Sequence, residues 1–170
     1  MAEKRSLPKG FENFQKKGKD MKTASSKTNN ETLIRELIDD LVTAVRAKET
    51  NGVISLFATD PVMFLLAPPL QSKSDQVSGR KNIQEWFDSF QSEIGYEIRD
   101  LEITAGDTAA FCHNLLHISG NRANGEVTDI WVRETLGFRK INNEWKIAHQ
   151  HQSVPMYMDG SGKAAIDLKP

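Results

Sequence analysis

Cysteine is almost missing from this sequence. Cys112 is the only one, so no intramolecular disulfide can form. It stands inside an apolar strand pattern and reads as a small core residue rather than a nucleophile. Also missing are a Cys-x-x-Cys pair, a nucleotide-binding glycine loop and a Gly-x-Ser-x-Gly elbow, so no cofactor is expected. No segment approaches the ~18 consecutive apolar residues that a membrane span needs. The amino terminus carries no apolar run of signal-peptide length. Net charge at pH 7 is −1, so no overall charge argues for nucleic acid or membrane as a partner. A soluble, cytoplasmic protein is the simplest expectation.

What is present is unevenly spread. Residues 1–29 hold eight Lys/Arg against three Asp/Glu, a net of +5 that leaves −6 for the remainder. That stretch is rich in Lys, Ser, Thr, Asn and Gly and has almost no hydrophobic periodicity, which predicts a disordered, solvated basic extension. Met21 within it offers a second place for a chain to start. From Asn30 to residue 170 the pattern is that of one globular domain. The 38% hydrophobic content, with three Trp and eight Phe, is enough to build a core.

Leu33, Ile34, Leu37, Ile38, Leu41, Val42 and Val45 recur at helical spacing, with Asn29 or Asn30 as cap and Asn51-Gly52 as the stop. A short helix over 53–57 follows. Asp60-Pro61 is expected to break it, and Val62–Ala67 reads as a buried strand stopped by Pro68-Pro69. After a polar loop over 70–78, Ser78 caps a third helix whose inward face is Ile83, Trp86, Phe87 and Phe90. Four strands are then predicted, roughly over 96–105, 108–119, 127–140 and 144–153, with Asn142-Asn143 as a hairpin turn. Helices first and a long meander afterwards make an α+β arrangement.

The last hairpin carries most of the information. Strand side chains repeat every two residues, so Trp145, Ile147, His149 and His151 should share one face, apolar at one end and imidazole at the other. If Asn142 and Asn143 are the loop, opposed positions sum to 285. That sets Glu134 against His151, Leu136 against His149 and Phe138 against Ile147. Imidazole titrates near neutral pH and suits acid/base work, so His151 and His149 are the catalytic candidates. A purely structural role, bonding neighbouring strands or a dimer partner, is the competing reading. Metal binding is not expected. A third ligand would have to come from His113, His117 or Asp129, and nothing in the spacing requires it.

Asp129-Ile-Trp131-Val-Arg133-Glu-Thr135, Trp145-Lys-Ile147, His149-Gln-His151-Gln-Ser153-Val-Pro155 and the ending Gly162-Lys163-Ala-Ala-Ile-Asp167-Leu168-Lys-Pro170 resemble one group of proteins. They are similar to the SnoaL-like, ketosteroid-isomerase-like members of the nuclear transport factor two-like superfamily. The resemblance covers about four fifths of the chain. It implies a cone-shaped fold, a curved mixed or antiparallel sheet packed on three amino-terminal helices, enclosing a cavity for a small, mostly apolar molecule. It also implies a homodimer through the sheet. The family's steroid isomerases carry a carboxylate base on the first strand, and counting along puts Leu65 or Leu66 there, so that chemistry does not transfer. Cofactor-free isomerase, cyclase or lyase chemistry stays open, as does a non-catalytic association module.

Under the small-molecule reading, Met63, Leu65, Trp86, Phe90, His113, Trp131 and Arg133 join the two histidines as ligand-binding candidates. Two faces of one strand cannot line one cavity, so either Arg133 or the histidines must point elsewhere. Arg133 is costly to bury unpaired, and Asp129 is its nearest partner by sequence.

Overall fold

The computed structural model describes residues 9–73 and 76–170, with side chains over 28–72 and 79–170. Helix α1 spans Lys9–Arg46. Its backbone is helical well before Asn29 or Asn30, the expected cap, while residues 1–8 of the expected extension lie outside the described residues. No proline falls between Lys9 and Arg46 to force a start at Asn30. Asn30 instead ties the helix to the sheet. It is 3% exposed, and its Nδ2 donates to the Gly106 carbonyl at 2.9 Å. Ile34, Leu37, Ile38, Leu41 and Val45 form the buried stripe of this helix, while Leu33 of the expected set is 39% exposed and Val42 is half-buried.

The helix stops at Arg46, earlier than Asn51-Gly52. Lys48 takes a left-handed φ of 54°, and the Glu49 N–H donates back to the Ala44 carbonyl at 2.8 Å. Asn51 and Gly52 lie inside α2, Thr50–Leu56. An added Cβ on Gly52 would sit 3.1 Å from Ala44 Cβ, so glycine here lets α2 pack closely on α1. Strand β1 follows at once as Phe57–Phe64, so Asp60-Pro61 lies within a strand and Pro68-Pro69 lies beyond its end. Pro61 falls in an irregular stretch, between the Phe57–Ile147 and Val62–His149 pairings, where a missing N–H breaks no ladder bond. A two-residue strand β2, Ser72–Lys73, pairs with β1 inside the expected loop. Helix α3 spans Gln76–Asp88; its backbone is already helical two residues before Ser78, whose side chain lies outside those described.

Strands β3 (Gly95–Ala105), β4 (Ala109–Asn121), β5 (Val127–Ile141) and β6 (Glu144–Ser153) form the meander as expected. The six strands lie in the order β2-β1-β6-β5-β4-β3, with β1 parallel to β6 and the other pairs antiparallel. Inner-face residues Tyr96, Cys112, Leu116, Val132, Leu136, Phe138, Trp145 and Ile147 pack with the α1 stripe, Val53, Phe87 and Phe90 into one core. Each large apolar side chain so buried stabilises by roughly 1.5–3 kcal/mol.

The register departs from expectation at one point. Asn142 and Asn143 have φ of 50° and 68°, a two-residue turn, and Phe138 pairs with Ile147 as predicted. Beyond it, β6 inserts Ala148 as a bulge: Gly137 pairs with His149, Thr135 with His151 and Glu134 with Gln152. The expected oppositions of Glu134 with His151 and Leu136 with His149 are therefore replaced. Trp145 and Ile147 keep to the inner face, while His149 and His151 pass to the outer one.

Two measurements check this architecture. Asn143→Val places a β-branched side chain at φ 68° and should cost about 1–2 kcal/mol in urea unfolding; an unchanged midpoint would refute the turn. Burial, with the Glu134 charge adding to it, pushes the Cys112 thiol up to about 12 despite a bond to the Leu136 backbone. At pH 8 the folded protein should show no reaction with a disulfide reagent, and one thiol per chain after unfolding.

Candidate functional site

The alternation of β5 puts Val132, Glu134, Leu136 and Phe138 on the inner face, so a carboxylate stands in an otherwise apolar phase. Glu134 is 2% exposed. Three neutral amides hold it. Asn114 Nδ2 donates to Oε2 at 3.2 Å; Gln150 Nε2 and Gln152 Nε2 donate to Oε1 at 2.9 and 3.0 Å. Asn114 comes from β4, directly across in the ladder, and Gln152 from β6, across on the other side. Gln150 reaches the carboxylate because the Ala148 bulge turns it inward. These bonds offset the several kcal/mol that a buried, unpartnered carboxylate costs.

Two further groups complete the inner face. Tyr96 is 4% exposed; burial first, and then the Glu134 charge, raise its phenol well above the ordinary value, so the hydroxyl stays protonated. Met63 pairs with Gln150 across β1–β6 and is half-buried, as is Gln152. Arranged this way, the inner face offers an acceptor carboxylate, a protonated phenol and amide groups within an apolar shell.

The outer face holds all four histidines. His149 Nδ1 donates to the Val62 carbonyl at 2.8 Å, and Phe64 meets both His149 and His151 edge-on at 5.3 and 5.6 Å. His113 Nε2 lies 3.5 Å from Glu102. Trp131 stacks on the His117 ring, 4.6 Å away, and the Arg99 guanidinium lies 4.7 Å from its centre. Asp129 pairs with His117 at 2.6 Å and with Lys169 at 2.8 Å, which leaves it no role with Arg133. The Lys169 bond, followed by that of His117, holds the Asp129 carboxyl below the usual carboxylate range. Arg133 is exposed and makes no ion pair or hydrogen bond among the described residues.

The residues singled out from sequence thus separate into groups. His149, His151, His113, Trp131 and Arg133 stand on the outer face. Met63 is on the inner face, and Trp86 and Phe90, 5.5 Å apart on the helical side, pack against the core. Leu65 lies beyond the end of β1 and is 36% exposed. Glu134, Asn114, Gln150, Gln152 and Tyr96 were not anticipated as a group. Their signal was polar residues in the apolar phase of strands, as in Cys112-x-Asn114-x-Leu116 and Val132-x-Glu134-x-Leu136. Two described hollows lie elsewhere, a groove of ≈ 680 Å³ beside Glu49, Asn51, Arg80 and Gln84, and one of ≈ 200 Å³ beside Ile54, Phe57 and Ile141.

Among known proteins, the SnoaL-like domain family matches residues 34–157. Comparison with curated proteins returns no match. The chain is similar in structure to an NTF2-like protein of unknown function from Pseudomonas putida KT2440. That protein is 29% identical with a TM-score of 0.75, over 84% of this chain and 98% of the other. A ketosteroid isomerase-like protein from Erwinia carotovora atroseptica SCRI1043 is 19% identical, TM-score 0.62, over 72% and 94%. A candidate scytalone dehydratase from Novosphingobium aromaticivorans DSM 12444 is 15% identical, TM-score 0.68, over 84% and 95%. The last two show a common fold and nothing finer. With the match running through most of the mixed sheet and its helices, the chain belongs to the SnoaL-like domain family of the NTF2-like superfamily.

Proposed function

We propose that the protein binds a small, mostly apolar molecule against the inner face of the sheet, and that Glu134 is the group that moves a proton on it. One observation carries this reading: a carboxylate 2% exposed in an apolar core, held by three neutral amides and by no cation among the described residues. A buried charge is costly and an apolar side chain would pack there more cheaply, so such groups concentrate at functional sites. The ligand reaches Glu134 past the half-buried Gln152 and Met63. Glu134 takes a proton from a carbon beside a carbonyl and returns it; this is isomerase or lyase chemistry without a cofactor. His149 and His151, which face away from this cluster, take no part.

A second reading concerns the outer face, and it is compatible with the first. Phe111 is 48% exposed, Trp131 stacks on His117 and meets the Arg99 guanidinium, and Arg133 has no partner among the described residues. This mixture of aromatic and arginine side chains suits a protein interface. Here a second copy of the chain docks sheet to sheet, and the histidines are interface groups.

Each reading has a direct test. In D2O, the protein should accelerate deuterium exchange beside the carbonyl of an enolisable ketone such as 1-tetralone, followed by NMR. Glu134→Gln, which keeps an acceptor for the amides, should lower that rate by about 10²–10⁴-fold with folding intact. No exchange by the wild type, or equal exchange by Glu134→Gln, refutes the proton-transfer role. For the outer face, sedimentation equilibrium should find a dimer, and Arg133→Glu should yield monomers with unchanged circular dichroism. A wild-type monomer at about 100 µM, well above the Kd of a standard interface, eliminates the second reading.

A further inference from the structure

Asn114 is 5% exposed and its amide has one permitted orientation. Nδ2 donates to Glu134 Oε2 at 3.2 Å; the flipped amide would set oxygen against carboxylate oxygen. The carbonyl Oδ1 is thereby turned away from Glu134, and there it is buried with no hydrogen-bond partner among the described residues. A buried acceptor left unpaired is costly, and native interiors hold few. On the same strand face Cys112 and Leu116 are fully buried without such a cost. The ladder is also interrupted directly opposite. Arg99 pairs with Leu115 and Glu102 with His113, so Asp100 and Leu101 bulge against Asn114.

What completes this site is set by chemistry. An acceptor needs a donor. The neighbouring carboxylate is held by neutral amides alone, so an anionic ligand would meet uncompensated negative charge. The surrounding side chains Cys112, Leu116, Val132 and Leu136 are apolar, which favours a carbon skeleton. Building on the inner-face reading above, we propose that Asn114 Oδ1 accepts a hydrogen bond from a hydroxyl of the ligand. At the position facing Asn114 the site thus prefers an alcohol over a ketone or a hydrogen, the carbonyl on which Glu134 acts lying elsewhere in the molecule. Asn114 is then a specificity-determining residue, distinct in role from Glu134.

The test uses the full chain with 1-tetralol, 1-tetralone and tetralin, which differ only in the oxygen they present. Titrations followed by ¹H–¹⁵N NMR should give 1-tetralol about tenfold tighter binding than 1-tetralone. Only the alcohol should shift the Asn114 side-chain amide strongly. Asn114→Leu should bring 1-tetralol down to the affinity of 1-tetralone and leave tetralin unchanged. Gln152→Leu, which removes a different Glu134 donor, should keep the preference for the alcohol. Equal affinities in the wild type, or a preference that survives Asn114→Leu, overturns the proposal. If Asn114→Leu does not fold, the wild-type preference and the Asn114 amide shift decide the matter. Deuterium exchange without an alcohol preference defeats this inference alone; no binding of any of the three defeats the inner-face reading with it.

Discussion

One inserted residue in β6 decides which side chains meet the helices. Ala148 bulges between the Phe138–Ile147 and Gly137–His149 pairings and reverses the phase of everything after it. Without it, His149 and His151 would continue the apolar face of Trp145 and Ile147. With it, Gln150 and Gln152 turn inward and supply two of the three donors that hold Glu134. The buried carboxylate and the outward imidazoles are therefore one decision. A carboxylate at that depth would be untenable beside only one amide.

The sheet breaks its regularity in three of its strands: β1 between Phe57 and Val62, β3 between Arg99 and Glu102, and β6 at Ala148. Bulges raise local twist and bend the strand that carries them. The β3 bulge lies opposite Asn114 and the β6 bulge lies two residues before Gln150, so two of the bends border the polar cluster. Strand β5, which carries Glu134, and β4, which carries Asn114, run against each other without a break from Ala109–Arg139 to Asn121–Val127. The carboxylate and its first amide thus stand on a pair of strands in unbroken register, flanked by pairs that carry bulges.

Much of this was readable in the chain. The core stripe of α1, the four-strand meander, the bounds of β6 and the Asn142-Asn143 turn follow from periodicity and turn chemistry, because those signals are local. The Ala148 bulge is not local: its energy lies in burying Gln150 against Glu134, a residue on another strand. Gly137 was the one hint, since an added Cβ would lie 3.1 Å from His149 Cβ, the close approach that the bulge creates. Asn30 misled for a similar reason. An asparagine at the head of an apolar stripe reads as a cap, but its amide bonds a turn 76 residues away. The cluster around Glu134 is hidden in the sequence because polar residues in an apolar phase look like noise until their partners are known.

The parallel pairing of β1 with β6 bears on how the molecule assembles. Val62 and His149, which meet there, are 87 residues apart in the chain. The hairpins β3–β4, β4–β5 and β5–β6 close over short turns, and α1 with α2 forms a local pair. Joining β1 to β6 requires a far larger loop closure, a step whose entropy is repaid only after the distant strand is in place. The seam that links the helical half to the meander thus carries a larger loop-closure cost than any of the hairpins, and it is this pairing that brings Met63 beside Gln150.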